Sequence, residues 1–415
     1  MRNGLRTLVL TAACLLALPT GRALAQQMYW TGMDRTPLRA ERSGEASVLA
    51  ELPRGMPVRA VRSEGAWLLV QEPGGVQAWA YQGHLLDAQP PAAGPDLFAP
   101  LPGSLVLAEV ADTSRSSRSV RPTRSQDTAP LFSVLELPLT RQDLEDFLRE
   151  GGIGEYARMQ PQSAGGILRL PALRPAAPPG GDAERLLGLN LAVAVVRRVA
   201  KPTFDTQLQR YVNLVGLSVA RFAPGNALAY RFVVLESPVP LSFSLPGGFV
   251  MLTRGLVQAL DNEAQLALVL AHEAAHASLA HVWARALRSP FFRSGGAMTD
   301  EGVRSPLFAQ MIDGLLEQVL RQGLIRQPEG QRQEFEADAA ALEMGYRAGY
   351  DPLQLAAAIR AVDRACGRST AGATPPWSAL HPAVSRRMER IQALMARFPM
   401  QDGLALSTER FHARR

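Results

Sequence analysis

Two histidines four residues apart, with a glutamate beside the first, interrupt an otherwise apolar run, LALVLAHEAAHASLAH, from Leu266 to His281. Leu266, Ala267, Val269, Leu270 and Ala271 mark a buried helix. Burying two imidazoles and a carboxylate in such a helix is costly unless they have a use. On a helix, positions i and i+4 lie about 40° apart around the axis and one turn along it. His272 and His276 can therefore reach one ion. Zinc suits two neutral imidazole nitrogens and leaves room for a third ligand and a water. Glu273, next to the first histidine, can face that water as general base and take its proton.

The third ligand sets the subclass. A metzincin needs a glycine and a histidine where this chain has Leu279 and Val282. His281 falls one residue short and, on a continuous helix, points elsewhere; it reads as a surface or core histidine. A later segment, QEFEADAAALEMG, offers Glu334, Glu336 and Asp338. Glu334 and Asp338 share a helical face. Glu334 can ligate while Asp338 holds a ligand imidazole through its other nitrogen. Glu336 points about 200° away from Glu334.

Ahead of this region the chain divides by composition. Residues 1–25 read as an export signal: Arg2 and Arg6, an apolar stretch from Leu8 to Leu18 too short to span a bilayer, then Pro19, Gly21 and Ala23-Leu24-Ala25 before the cut. Lipidation at Cys14 is a weaker alternative, because Thr11 stands where a lipoprotein signal usually has leucine. Cleavage after Ala25 leaves Cys366 as the one cysteine, so no disulfide forms within the mature chain. The formal charge of +6 falls to +3 without Arg2, Arg6 and Arg22, and no dense basic run remains. Nucleic acid is therefore not an expected partner. The mature chain has no apolar stretch long enough for a transmembrane span, so a periplasmic or secreted protein is expected.

Residues 28–88 alternate short strand-like runs with turns, the pattern of a small all-β barrel. The order TPLRAERSGEASVLAELPRG, AWLLVQ, QAWAYQGHLL resembles bacterial SH3-like domains, including their tryptophans. That resemblance implies a module binding cell-wall material or a protein ligand; alternatively Trp67 and Trp79 are barrel core. Residues 89–180 read as a Pro/Ala/Gly linker and an uncharacterised middle region. Thr140 to Glu150 there has the look of a capped helix.

From residue 181 to 400 the pattern is mainly helical, with strand-like runs at Phe232–Glu236 and Leu241–Thr253 joined at Pro246-Gly247-Gly248. Asn262 to Arg288 reads as one long helix. Phe249, Val250, Met251, Leu252 and Thr253 are candidates for a strand that pairs with extended substrate. Ser289 to Ser305, rich in glycine, reads as a mobile segment gating the cleft.

VLAHEAAH followed by EFEAD resembles the CAAX-protease and HtpX-type family of metallopeptidases, close to its soluble exported members. YVNLVGLSVAR, SLPGGFVMLTRGLVQAL and LHPAVSRRMERI are similar to further motifs of that family. The resemblance implies His272, His276 and Glu334 as ligands of one zinc ion, Glu273 as base and Asp338 behind a ligand. It also implies His381 beside the site, donating to an oxyanion. Family members commonly have Asn where Leu241 stands and Thr where Leu380 stands.

The expected architecture is multidomain: an SH3-like barrel, then an α+β, mainly helical zincin-type (gluzincin) metallopeptidase domain. The expected function is an exported zinc-dependent endopeptidase acting on polypeptide substrates, with unfolded or misassembled envelope proteins implied by the resemblance. The alternative is a cell-wall or partner-binding protein whose metallopeptidase domain is chaperone-like or vestigial.

Overall fold

A computed structural model describes residues 27–32, 36–52, 55–86, 128–153, 176, 181–224, 228–321, 328–368, 384–396, 398 and 404–415. The expected export signal with Cys14 and Ala25, the linker at 89–103 and His381 lie outside the described residues. Among the described residues, no helix is long and apolar enough to cross a membrane.

The N-terminal region is all β. Strands β1 (Met28–Thr31), β2 (Thr36–Arg39), β3 (Val48–Leu52), β4 (Pro57–Glu64), β5 (Trp67–Gln71), β6 (Gln77–Tyr81) and β7 (Leu85–Leu86) form one sheet. Their order is β3-β2-β6-β5-β4-β1-β7, and the pairings are antiparallel. Side chains alternate across a strand. Leu68 and Val70 of β5 and Ala78 and Ala80 of β6 therefore join Leu38 and Val58 in the core. Trp67 and Tyr81 pair across the same strands but belong to a separate cluster with Ala66, against which Trp79 packs. Trp67 and Tyr81 meet edge to face with centroids 5.7 Å apart. Neither tryptophan is part of the barrel core, because both occupy the strand positions out of phase with it.

The second region sandwiches a three-stranded sheet between helical layers. Its strands are β8 (Arg231–Leu235), β9 (Ser242–Leu245) and β10 (Phe249–Thr253), in the order β8-β10-β9. Alternate residues feed the two sides. Phe232, Val234, Val250 and Leu252 enter one core with α4 (Thr206–Ala220), α6 (Glu263–Ser278), α11 (Pro328–Ala348) and α12 (Gln354–Arg368). Val233, Leu235, Leu245 and Met251 enter the other with α3 (Gly181–Arg198), α7 (His281–Leu287) and α10 (Pro306–Arg321).

The packed unit begins before residue 181. Helix α1 (Ala129–Leu135) buries Leu131, Phe132 and Leu135 in one core. Helix α2 (Arg141–Glu150) buries Leu144, Phe147 and Leu148 in the other, behind a capping box between Thr140 and Asp143. The C-terminal helix Thr408–Arg414 also docks here. Its Arg410 pairs with the wholly buried Glu263 of α6, which further accepts from the hydroxyls of Tyr211 at 2.7 Å and Tyr350 at 2.9 Å. These contacts pin the first turn of α6.

Two close approaches position the elements around α6. Gly345 lets α11 lie tight against it, since a Cβ there would come within 2.3 Å of Leu268. Gly247, at φ 73°, turns β9 into β10 against α3, where a Cβ would meet Arg185 Cα at 2.6 Å.

Two expectations are corrected. Strand β10, Phe249 to Thr253, is central: it pairs parallel with β8 on one side and antiparallel with β9 on the other, so it has no open edge for a substrate strand. The 262–288 helix is broken: α6 ends at Ser278, Ala280 adopts left-handed φ 57° and ψ 32°, and α7 starts at His281. The Ser289 to Ser305 segment holds two short helices, α8 (Pro290–Arg293) and α9 (Asp300–Val303), anchored by buried Phe291 and Val303.

Candidate metal centre

Helix α6 sets His272 and His276 one turn apart on the same face, with ring centroids 4.8 Å apart and Nε2 atoms 3.2 Å apart. Helix α11 brings Glu334 over both. Its Oε2 lies 3.5 Å from His272 Nε2, and its Oε1 lies 3.3 Å from His276 Nε2. One donor atom from each of the three falls within 4.8 Å of the others. A tetrahedron with bonds of about 2.0–2.1 Å to nitrogen and oxygen has edges of about 3.3–3.4 Å. The three residues thus fit a zinc ion in donor type and in spacing, through a modest turn of the Glu334 carboxylate. His272 and Glu334 are buried, and the His276 side chain is 12% exposed, which leaves a route in from that side.

Behind His272, its Nδ1 lies 3.0 Å from Asp338 Oδ1. Asp338 in turn accepts two hydrogen bonds from Arg387, 2.9 Å from Nε and 2.5 Å from Nη2. Asp338 and Arg387 are each 1% exposed. Burial alone would push the His272 imidazole down, but the Asp338 and Glu334 carboxylates outweigh it, so its pKa is raised to about 9. Burial works against the Asp338 carboxylate too, yet Arg387 and His272 hold it below its usual range.

Behind His276, its Nδ1 lies 2.9 Å from Nδ1 of His281. The Nε2 of His281 faces Glu336 Oε2 at 3.5 Å, and Glu336 accepts from Arg332 at 2.9 Å. Burial drives the His281 pKa down to about 4 against the pull of Glu336. His281 is buried as expected of a core histidine, but it is turned onto His276, because the break at Ala280 redirects it.

Glu273 is buried beside the histidines, and its Oε1 accepts from the Ser242 hydroxyl at 2.8 Å. Ser242 opens β9, an edge strand, so that edge of the sheet lies along this carboxylate. His381 lies outside the described residues.

Ser242, His281, Glu336 and Arg387 were not singled out for these positions from sequence. Only Arg387 carried a usable signal. Val384, Met388, Ile391 and Met395 space an apolar stripe along one helix, and Arg387 sits inside it. An arginine buried in such a stripe needs an anionic partner.

The chain resembles known proteins along the same two regions. Residues 206–395 match the model of peptidase family M48, and residues 33–87 match that of a bacterial SH3 domain. A beta-barrel assembly-enhancing protease of Yersinia pestis is 29% identical over 180 residues, 41% of this chain and 36% of that protein. Its counterpart from Escherichia coli (strain K12) is 29% identical over 157 residues, 36% of this chain and 31% of that protein. The mitochondrial metalloendopeptidase OMA1 of Schizosaccharomyces pombe is 27% identical over 187 residues, 44% of this chain and 51% of that protein. The matches therefore span about a third of the first two relatives and about half of the third.

Proposed function

We propose, from a chain whose residues 206–395 are a peptidase family M48 domain and whose residues 33–87 are a bacterial SH3 domain, that it is a zinc-dependent endopeptidase. His272, His276 and Glu334 hold the ion. The observation that carries this reading is the convergence of the donors: the two Nε2 atoms lie 3.2 Å apart, and one Glu334 oxygen lies 3.3 Å from His276 Nε2 and the other 3.5 Å from His272 Nε2, so a turn of the carboxylate completes a zinc site. Both ligand histidines also have their Nδ1 atoms engaged, which leaves each Nε2 for the metal.

When bound there, zinc supplies Lewis acidity toward a scissile carbonyl and lowers the pKa of a water. Glu273 takes the proton of the attacking water and delivers it to the leaving nitrogen. The Ser242 hydroxyl donates to one of its oxygens. His381 is the proposed donor to the oxyanion. An extended polypeptide would add to β9, whose edge lies along Glu273, and not to the central β10.

We take the substrates to be unfolded or misassembled envelope proteins, in keeping with relatives named for enhancing β-barrel assembly, and the SH3 domain to dock a cell-wall or protein partner. Export with cleavage after Ala25 fits that setting; mass spectrometry of the mature protein should find Gln26 at its N-terminus.

The central test is Glu273→Gln. The variant keeps size and hydrogen bonding but cannot accept a proton. It should retain zinc, melt like the parent and lose nearly all cleavage of an unfolded protein substrate. Cleavage at the parental rate would defeat the reading.

A further inference from the structure

We propose that His281 is a positioning residue that fixes the tautomer of His276, and that Glu336 fixes the tautomer of His281. The inference rests on the zinc site proposed above. A histidine bound to a metal through Nε2 carries its proton on Nδ1 and needs an acceptor for it. For His276 the atom at that place is Nδ1 of His281, 2.9 Å away. Two nitrogens that close share one proton, so His281 Nδ1 must be bare. Its own proton then sits on Nε2, where the Glu336 carboxylate faces it at 3.5 Å. Arg332 holds that carboxylate from the far side at 2.9 Å. The chain has one direction: His276 donates to His281, and His281 donates to Glu336.

The fold goes out of its way to make this contact. On an unbroken helix, a residue five positions after His276 would sit about 140° around the axis from it. The left-handed Ala280, at φ 57°, ends α6 and swings His281 back onto the ligand ring. Alanine adopts that conformation only at a cost. His281 is 2% exposed, so no bulk water replaces it as acceptor.

The two ligand rings are thus backed differently. His272 leans on a carboxylate locked by an arginine, whereas His276 leans on a neutral ring that passes the interaction to an outlying carboxylate. Helix α11 supplies all three acids, Glu334 to the metal position, Glu336 and Asp338 behind the rings. Its register therefore orients both histidines as well as the third ligand.

The test reads tautomers and metal affinity in the full-length chain. Two-bond 1H–15N correlation of the zinc-loaded protein, with 15N-labelled histidine, should show the His281 proton on Nε2. A proton on its Nδ1 overturns the proposal with no mutation needed. His281→Phe should weaken zinc binding by about 10–100-fold in a chelator competition. His281→Asn, whose side-chain oxygen can accept near the position of Nδ1, should recover most of that loss. Glu336→Leu should mix the two His281 tautomers in the metal-free chain, and zinc binding, which puts the His276 proton on Nδ1, should restore the single form. Parental zinc affinity in a folded His281→Phe, while His276→Ala loses zinc, sinks the proposal and leaves the zinc site standing. Parental affinity in His276→Ala would instead sink the zinc site itself.

Discussion

The Ser242 hydroxyl donates to Glu273 Oε1 across 2.8 Å, tying the edge strand β9 to the helix that carries both histidines. A hydrogen bond to a charged carboxylate contributes about 1.5–3 kcal/mol. Ser242→Ala should therefore lower kcat by about tenfold to 150-fold while zinc content stays at one per chain. Turnover and metal analysis on the same sample check it. Loss of zinc in this variant would mean that the serine supports the metal site and not the base.

Arg387 and Asp338 form a buried ion pair whose two members differ in what they touch. Asp338 faces His272, whereas Arg387 donates to Asp338. Arg387→Ala leaves a buried carboxylate without its cation, which costs about 3–5 kcal/mol. Chemical denaturation should show that loss. Asp338→Asn keeps the shape, and it should weaken zinc binding by about 10–100-fold. A stable Arg387→Ala protein with parental zinc affinity would show that the pair matters little.

The sequence carried the site better than it carried the surroundings. The spacing of His272 and His276 is a local, helical fact, and so is the shared face of Glu334 and Asp338; both survive any packing that keeps the helices. The barrel was legible for the same reason, since alternation along β5 and β6 depends only on the strand. Contacts made by tertiary approach were not. Which of β9 and β10 is the edge depends on β8 pairing in parallel from a distant segment. The turn of His281 depends on one left-handed alanine, a residue type that gives no warning of that conformation. Helices α1 and α2 lie between segments of linker composition, and what assigns them to the second region is burial against partners far along the chain.

Glu334 and Glu336 stand two residues apart, yet they should differ sharply in metal analysis. Glu334 points at both Nε2 atoms, while Glu336 points at His281. Glu334→Ala removes a direct ligand and should leave little zinc after dialysis. Glu336→Ala should retain it. The reverse pattern would reassign the third ligand.

Zinc binding should be strongly pH-dependent, and the sign follows from His272. In the metal-free chain its pKa is raised to about 9, burial opposing and the Asp338 and Glu334 carboxylates prevailing. The imidazole is therefore protonated at neutral pH, and the metal must displace that proton. Apparent zinc affinity should climb about tenfold per pH unit toward 9 and level off above it, with about one proton released per ion. Stability of the metal-free protein runs the other way. A folded pKa above the unfolded value of about 6.5 gives a contribution fully present below 6.5 and lost as pH rises through 9. The zinc-induced rise in Tm should consequently widen from pH 6.5 to 9. Asp338→Asn removes one of the carboxylates that hold the proton, so its affinity should rise less steeply over the same range. Competition titrations in buffers of different ionisation enthalpy measure the proton count directly. A flat affinity from pH 6.5 to 8.5 in the parent would mean that His272 is already neutral before the metal arrives.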